Sequence, residues 1–264
     1  MQCDVNDVRI AYDDAGSGRP VVLIHGFPLS RRMWRPQLSA LQEHFRVIAP
    51  DLRGHGESTV PPGPYSMDAM AGDIAALLDR LSVQRAVLVG LSMGGYVSLA
   101  FCRLWPQRVS ALVLADTKAV PDTPEGKQAR DSMISLVQEK GMEAIEEVML
   151  PRLLAPATLR TKPDVAAEVS AMIRGTHPEG AIGALQGMRD RPGSTEVLRS
   201  LTCPVLCICG EEDVLSPPSA AQEMAALARS GRVEVVPSAG HLPNLENPNA
   251  FNSALLAFLS GCAL

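Results

Sequence analysis

The sequence has no excess of basic charge. Its 24 lysine and arginine residues are outnumbered by 29 aspartate and glutamate residues, and the formal net charge is −5. The basic residues are scattered along the chain, whereas proteins that bind nucleic acid usually carry a basic patch or stripe that neutralises phosphates. We therefore expect no nucleic-acid partner. Low-complexity tracts are also lacking, and 264 residues of which 46% are hydrophobic suit one large folded domain.

The first twenty residues lack the pattern of a secretory signal. Asp4, Asp7, Asp13 and Asp14 stand where a signal peptide has a basic start followed by an apolar stretch. We therefore expect a cytoplasmic protein.

Long runs without charge are scarce. The run 86–102 has no charged residue and approaches the length of about 20 residues that a membrane-spanning helix needs. However, Gly90, Ser92, Gly94 and Gly95 interrupt it in the middle. A buried strand, a tight turn and a buried helix account for the same residues, so we expect no membrane partner.

Cysteine and histidine are few, with six and five residues. Cys203, Cys207 and Cys209 lie on one face of an expected strand. Alternate positions on a buried strand leave little room for thiolates to converge on a tetrahedral metal ion, and no histidine lies beside them. We expect buried small apolar side chains here, with neither a metal site nor a structural disulfide.

Short apolar runs alternate with helix-length amphipathic segments. Such near-continuous apolar strands are typical of a parallel sheet that is covered on both faces. The predicted strands are 21–24, 45–49, 86–89, 109–115, 204–208 and 233–236. The predicted helices are 31–42, 66–81, 92–105, 220–227 and 248–259. This order predicts a doubly wound α/β fold, and residues 5–12 with the turn DDAGSG before Pro20 suggest an opening hairpin.

The strand pattern disappears between about Val120 and Ser200, where charged helical segments replace it. We predict a helical cap over residues 120–200, inserted into an α/β core made of residues 1–119 and 201–264. Flexible methionine side chains would suit an adaptable pocket in this cap, although filling gaps in a core is an equally good interpretation. The methionines in question are Met133, Met142, Met149, Met172 and Met188.

The most specific local motif is G-x-S-x-G, formed by Gly90, Ser92 and Gly94. It lies between a predicted strand and a predicted helix, which is the context that a nucleophile elbow requires. Glycine on either side lets the strand turn sharply into the helix and raises the serine hydroxyl above the sheet. We predict that Ser92 is a nucleophile.

A serine nucleophile needs a histidine base. His44 and His177 are expected to be exposed or merely packed, and His25 and His55 lie in loops where a loop-fixing hydrogen bond is the expected role. His241 follows the last predicted strand, at the carboxyl end of the sheet where catalytic groups of open α/β sheets collect. We therefore predict that His241 is the base.

The acid of such a triad lies between the serine and the histidine along the chain. Asp213 follows the strand PVLCICG in the proline-bounded loop GEEDVLSPP, and it is the predicted acid. Glu211 and Glu212 are expected to face solvent. Asp116 also ends a strand and remains the alternative.

Backbone N–H groups near the elbow are candidates for an oxyanion hole. Phe27, in HGFP after the strand VVLI, and Met93, next to the serine, are the predicted donors. An apolar wall around the substrate is expected from three further residues beside the catalytic positions: Leu29, Leu215 and Leu242.

Five segments together resemble successive signatures of the α/β-hydrolase family, and they span nearly the whole chain. The segments are HGFP, DLRGHGES, GLSMGG, GEEDVLSPP and SAGHLPNLENP. Within that family, GLSMGGY and HGFPLSRRMW resemble 3-oxoadipate enol-lactonases, arylesterases and cofactor-free haloperoxidases. The resemblance implies the α/β-hydrolase fold, Ser92, Asp213 and His241 as a triad, and oxyanion donors at Phe27 and Met93. It is weaker in the cap.

These observations predict a serine hydrolase that cleaves small carboxylic esters or lactones without a metal or organic cofactor. Enol-lactonase, perhydrolase, C–C bond hydrolase and a receptor that binds a small molecule without turnover are the alternatives. Haloalkane dehalogenases and epoxide hydrolases need an aspartate where Ser92 stands and are disfavoured. The expected partner is a small-molecule ester or lactone, and the sequence is compatible with a homo-oligomer.

Overall fold

Eight strands form one sheet in the computed structural model, which describes residues 1–262 of the chain. The strands are β1 (Gln2–Val5), β2 (Val8–Ala15), β3 (Pro20–Ile24), β4 (Arg46–Pro50), β5 (Ala86–Leu91), β6 (Val109–Ala115), β7 (Val205–Gly210) and β8 (Gly231–Val236). Their spatial order is β1-β2-β4-β3-β5-β6-β7-β8. The β1–β2 and β2–β4 pairs are antiparallel, and the remaining pairs are parallel.

The central strands are covered on both faces. Every residue of β5 and of β7 is buried, as their unbroken apolar sequences predict. In the register of the sheet, Gly90 lies beside Ile24 of β3 and beside Leu114 of β6. The carboxyl ends of these strands therefore meet at one edge of the sheet, and the loops that follow them are neighbours.

Eleven α-helices complete the described part of the chain. They are α1 (Arg35–Leu41), α2 (Met67–Arg80), α3 (Met93–Leu104), α4 (Pro124–Leu153), α5 (Pro156–Thr161), α6 (Pro163–Gly175), α7 (Pro178–Arg189), α8 (Thr195–Ser200), α9 (Pro218–Leu227), α10 (Pro243–Glu246) and α11 (Pro248–Gly261). Seven of them start with proline, whose fixed φ and missing N–H suit the first helical position. Helices α1, α10 and α11 pack together, and α2, α3, α8 and α9 form a second row. The predicted doubly wound α/β class is confirmed.

The insertion between β6 and β7 is entirely helical. Helix α4 packs against α6 and α7, and Gly141 divides it by a kink with φ 75° and ψ −167°. Only glycine adopts this conformation readily. Helix α8 packs against α3 and α9 of the core. The predicted cap segment 120–200 thus contains α4 to α7, which we call the cap, and the short helix α8.

Helix α7 docks closely onto the core. Its glycines at positions 180, 183 and 187 lie on one helix face, and a Cβ atom at Gly180 would lie 1.9 Å from the carbonyl oxygen of Gly54. A Cβ atom at Gly187 would lie 1.6 Å from the carbonyl oxygen of Tyr65. Backbone therefore packs on backbone at Gly180 and Gly187, and the ring of Tyr65 packs against Gly183, so α7 has no room for side chains at these positions.

The opening hairpin differs from the prediction. Val5 pairs with Val8, so the turn consists of Asn6 and Asp7, and Asn6 has φ 46°. Asparagine tolerates the left-handed region better than most residues, which makes it a common turn residue. The first residues of DDAGSG belong to β2, and only its end turns toward β3.

The six cysteines are all free, and five of them are buried. Burial raises the pKa of Cys207 and of Cys209 to about 12, so both thiols are neutral apolar groups near pH 7. The expectation that Cys203, Cys207 and Cys209 are buried is confirmed. Among residues 1–262, no helix is both long enough and apolar enough to cross a membrane.

Candidate active site

Ser92 lies on a strained turn between β5 and α3. Its φ of 53° and ψ of −112° are unusual for a residue with a side chain. A Cβ atom at Gly90 would lie 2.2 Å from the carbonyl oxygen of Gly94, and one at Gly94 would lie 2.1 Å from the carbonyl oxygen of Ile24. Only glycine fits at either position, which explains the G-x-S-x-G pattern. The turn leaves Ser92 half-buried on the wall of a cavity.

His241 and Asp213 form a buried hydrogen-bonded pair. The imidazole Nδ1 lies 2.8 Å from Asp213 Oδ2, and the other carboxylate oxygen accepts the backbone N–H of Leu215 at 2.8 Å. Burial by itself would raise the pKa of Asp213, but His241 and backbone N–H groups, including that of Leu215, outweigh burial and lower this pKa. Asp213 is therefore ionised near pH 7 and orients an imidazole whose ring lines the same cavity as Ser92.

Asp116, the alternative acid, lies next to this pair. It ends β6 with φ 44°, it is fully buried, and its Oδ1 accepts the backbone N–H of Gly210 at 2.8 Å. Burial and the nearby charge of Asp213 raise the pKa of Asp116 well above its usual value. The hydrogen bond of the imidazole goes to Asp213, and Asp116 forms no hydrogen bond with His241.

The same three side chains form the one group of potential metal ligands found in residues 1–262. Ligand atoms of Asp116, Asp213 and His241 lie within 4.8 Å of one another. However, the Nδ1 atom of the histidine already bonds Asp213, and one oxygen of Asp116 already accepts a backbone N–H. Because Asp213 and His241 already bond each other, this group fits a catalytic acid–base pair better than a metal site.

The HGFP turn lies directly against the elbow. A Cβ atom at Gly26 would lie 3.4 Å from the Cβ atom of Ser92, and Phe27 lines the cavity. Met93 begins α3, so its N–H is one of the first-turn groups that have no acceptor within the helix. The structure thus brings both predicted oxyanion donors to the serine.

His25 and His55 stabilise the loops beneath this turn. The Nε2 atom of His25 accepts the backbone N–H of Leu52 at 2.9 Å, and Nδ1 of His55 bonds the carbonyl oxygen of Arg53 at 3.0 Å. The predicted loop-fixing role of both histidines is confirmed.

Glu246 is a residue that the sequence analysis missed. It is fully buried, and its carboxylate accepts the N–H groups of Gly240 at 2.8 Å and of Leu242 at 3.3 Å, on either side of His241. The same carboxylate accepts the N–H of Ala155, just after α4, at 2.7 Å. Burial raises the pKa of Glu246 despite these bonds. The sequence does contain a signal for a buried structural role of Glu246, namely a charged residue inside the apolar, proline-bounded stretch LPNLENP.

The cavity has a volume of about 260 Å³, and the cap forms most of its wall. Gly126, Ala129, Arg130 and Met133 come from the first half of α4, with the spacing of one helix face. The lining residues of the second half also share one helix face: Val148, Met149, Arg152 and Leu153. The kink at Gly141 therefore lets one helix line the cavity twice.

The three residues of the predicted apolar wall lie in different places. Leu215 lines the cavity, but Leu29 and Leu242 do not, because both side chains are fully buried in the hydrophobic core. Neighbours along a loop point in different directions, so proximity to a catalytic residue in sequence did not place these two leucines in the pocket. Three predicted cap methionines do line the cavity, namely Met133, Met149 and Met188, whereas Met142 and Met172 are buried outside it.

Comparison with known proteins finds one family model and several similar enzymes. A family model described as alpha/beta hydrolase fold matches residues 19–248. A thermophilic esterase from Thermogutta terrifontis, solved with malate bound, is 43% identical, with a TM-score of 0.95 over 97% of this chain and 95% of that one. The 3-oxoadipate enol-lactonase 2 of Acinetobacter baylyi is 29% identical over 96% of this chain and 94% of its own length. A bromoperoxidase from Bacillus anthracis is 27% identical, with a TM-score of 0.87 over 96% of each chain.

Proposed function

Because the chain belongs to the α/β-hydrolase family, as its sequence motifs indicated, we propose that it hydrolyses small carboxylic esters or lactones with Ser92, His241 and Asp213 as its catalytic triad. The observation that carries this proposal is the buried His241–Asp213 pair, which shares one cavity with a serine on a strained elbow. The esterase and enol-lactonase relatives support the same class of reaction.

The proposed reaction is acyl transfer. His241 removes the proton of Ser92, and the serine oxygen attacks the carbonyl carbon of the ester. The oxyanion that forms accepts the N–H groups of Phe27 and Met93, and each such donor contributes about 2.7–4 kcal/mol to transition-state stabilisation. Asp213 keeps the proton of the imidazole on Nδ1. Protonated His241 then gives its proton to the leaving alcohol. The neutral imidazole next activates a water molecule, which hydrolyses the acyl-enzyme and restores Ser92.

A lactone would follow the same steps, with the alcohol remaining attached to the acyl chain. The bromoperoxidase relative favours peracid formation as a second activity. In that case hydrogen peroxide replaces water as the attacking group in the deacylation step, and the product is a peroxycarboxylic acid. Both activities use the triad in the same way.

A covalent probe tests the nucleophile. An organophosphonate should label Ser92, because the base raises its nucleophilicity above that of other serines. Ser92→Ala should abolish labelling, whereas Ser216→Ala, which removes the other serine on the cavity wall, should still be labelled at position 92. Peptide mass spectrometry locates the adduct, and a folded protein without an adduct at Ser92 would contradict the proposed triad.

A substrate series tests the size of the acyl group. The cavity volume of about 260 Å³ lies just below the usual range for ligand sites, about 300–1,000 Å³, and HGFP lacks the HGGG run of many lipases. We expect kcat/KM to peak at a short acyl chain in p-nitrophenyl esters from acetate to palmitate, and emulsified triglyceride to be a poor substrate. A steady rise toward palmitate with interfacial activation would contradict this.

A further inference from the structure

Three cationic side chains line the cavity that holds Ser92. Lys118 lies just after β6, Arg130 is on the first half of α4, and Arg152 is on its second half. The chain as a whole has a net charge of −5. The positive wall of this cavity therefore opposes the overall charge of the protein.

The acidic residue among the lining side chains, Asp122, is already neutralised. One of its carboxylate oxygens contacts Arg191 at 2.8 Å and the other accepts a hydrogen bond from Arg130 at 3.1 Å. Burial by itself would raise the pKa of Asp122, but the two arginines outweigh it and lower this pKa. Asp122 is therefore an ionised carboxylate with two cationic partners.

Arg191 is committed to the structure of this wall. It is buried, and it donates to the carbonyl oxygens of Met188 at 2.8 Å and of Val120 at 3.0 Å. Its guanidinium also lies 3.9 Å from the centre of the Tyr96 ring. Because the single positive charge of Arg191 balances the single negative charge of Asp122, the three groups together keep one net positive charge, equal to that of Arg130.

The remaining cations have spare hydrogen-bonding capacity. Within residues 1–262, Lys118 and Arg152 form no ion pair, and Arg130 bonds Asp122 only through Nε, which leaves its two terminal nitrogens for another acceptor. A guanidinium fork of this kind matches a carboxylate. Positive groups that converge on a partly enclosed site attract an anionic ligand more strongly than they would in open solvent.

Part of the wall of the same cavity is apolar. Met133, Met149, Met188 and Leu215 all line the cavity. A ligand that contacts all three kinds of group has a carbonyl group at Ser92, a hydrocarbon chain and an anionic group.

We propose that the substrate carries a free carboxylate, separated by a few carbons from the bond that is cleaved, and that Lys118, Arg130 and Arg152 bind this carboxylate. The proposal rests on the proposed ester or lactone hydrolysis. Water and a dicarboxylic acid monoester yield the dicarboxylate, the alcohol and one proton, while a carboxylate-bearing lactone yields a hydroxy dicarboxylate and one proton.

Two esters of equal length separate charge from size. Monoethyl glutarate and ethyl valerate have the same five-carbon acyl chain, but only the first ends in a carboxylate. With a pH-stat assay at low ionic strength, kcat/KM for monoethyl glutarate should exceed that for ethyl valerate by about tenfold or more, because charge-assisted hydrogen bonds hold its carboxylate. Added NaCl should reduce this ratio, because salt screens charges that solvent can reach.

Single substitutions assign the subsite. Lys118→Gln, Arg130→Gln and Arg152→Gln should each lower the ratio of the two kcat/KM values, by about tenfold for a well-formed contact. Lys140→Gln on α4 and Arg160→Gln on α5 remove exposed cations that do not line the cavity, and both should leave the ratio unchanged. A ratio near one in the unmodified protein, or equal effects of cavity and control substitutions, would overturn the proposal.

A binding measurement keeps the subsite separate from the chemistry. Calorimetric titration of the Ser92→Ala protein with glutarate should show binding that Lys118→Gln and Arg152→Gln weaken, whether or not any ester is hydrolysed. If neither ester is a substrate but glutarate binds in this way, the proposed function fails and the anion subsite stands. If ethyl valerate is hydrolysed and glutarate does not bind, the subsite fails and the hydrolase stands.

Discussion

The sheet edge and the cap contribute opposite walls of one cavity, and they are built differently. At the sheet edge, Asp213 and His241 are buried and bonded to each other, and Ser92 is held on a turn that neighbouring backbone constrains. In the cap, the wall is a kinked helix with few buried residues. The rigid wall carries the groups of the proposed chemistry, and the more exposed wall carries the groups that would select the substrate.

The cap itself contains a similar contrast. Helix α7 packs backbone against backbone on the core at Gly54 and Tyr65. Helix α4 contacts the loop that holds His241 at its last residue, where the carbonyl oxygen of Leu153 accepts the N–H of His241 at 3.0 Å. Regions with few buried contacts open at lower free energy than regions with many. The α4 wall should therefore tolerate changes that the α7 contact and the sheet edge do not.

The largest effect on activity is expected from a substitution at the sheet edge that removes the hydrogen-bonded partner of His241. Asp213→Asn should leave the fold intact but lower kcat by about 10⁴-fold, because an amide no longer holds the imidazole in the correct tautomer. Asp116→Asn should cost much less, since the amide oxygen can still accept the N–H of Gly210. Steady-state kinetics with a short p-nitrophenyl ester, together with circular dichroism, measure both. A larger loss for Asp116→Asn would identify the residue after β6 as the acid.

The second prediction concerns acid stability of the core. Burial lowers the pKa of His25 to about 4 and, together with the neighbouring His25 ring, that of His55 to about 3, from 6.5 in the unfolded chain. Between about pH 6.5 and 4 the unfolded chain therefore binds protons that the native state excludes, and the free energy of unfolding falls as pH falls. The loss between pH 7 and 5 should be about 2 kcal/mol for each histidine.

Urea unfolding at pH 7, 6 and 5 measures this slope. The two tryptophans, Trp34 and Trp105, both belong to the core, so their fluorescence follows the core. His55→Gln removes one of the two titrating groups and should make the pH dependence shallower. An unchanged slope in this variant would contradict the assignment of the acid lability to the buried histidines.

A smaller effect is expected from straining the cap helix. Gly141→Ala places a side chain at φ 75° and ψ −167°, which costs about 1–3 kcal/mol. Gly175→Ala is the matched control, because nothing lies within 4 Å of a Cβ atom at this helix end, and alanine there should be neutral or stabilising by up to about 1 kcal/mol. Unfolding free energies of both variants test this, and equal values would contradict the role of the kink.

The smallest effect is expected from a substitution in the cap that changes substrate preference and leaves the catalytic step nearly unchanged. Met149→Ala enlarges the cap side of the cavity, so the preferred acyl chain should lengthen by about two methylenes, at about 0.8 kcal/mol for each methylene that is newly accommodated. Activity toward the acetate ester should change little in kcat. The p-nitrophenyl ester series measures the shift, and an unchanged preference would show that the cap wall does not limit chain length.

The expected folding pattern follows from local features of the chain. The apolar runs of β5 to β7 and the proline-led helices are visible in a single segment, and the glycines around Ser92 are explained by contacts within a few ångströms of the same turn. The turn of the first hairpin was misplaced because Asn6 was not recognised as a residue that accepts positive φ. The need for glycine in α7 likewise could not be predicted from the helix alone, because it arises from the contacts with Gly54 and Tyr65 in the folded protein.

The sequence by itself determined the elbow at Ser92, the order of the strands along the chain, and the loops that hold His241 and both candidate acids. Only the tertiary structure decided that the imidazole bonds Asp213 and not Asp116, because the two strand ends are neighbours and their chemistry is the same. It also buried Leu29 and Leu242 away from the cavity and brought Lys118, Arg130 and Arg152 to its wall. The physical reason is that backbone preferences and apolar patterns act over a few residues, whereas a cavity is formed by side chains from distant segments that meet only when the cap packs on the sheet.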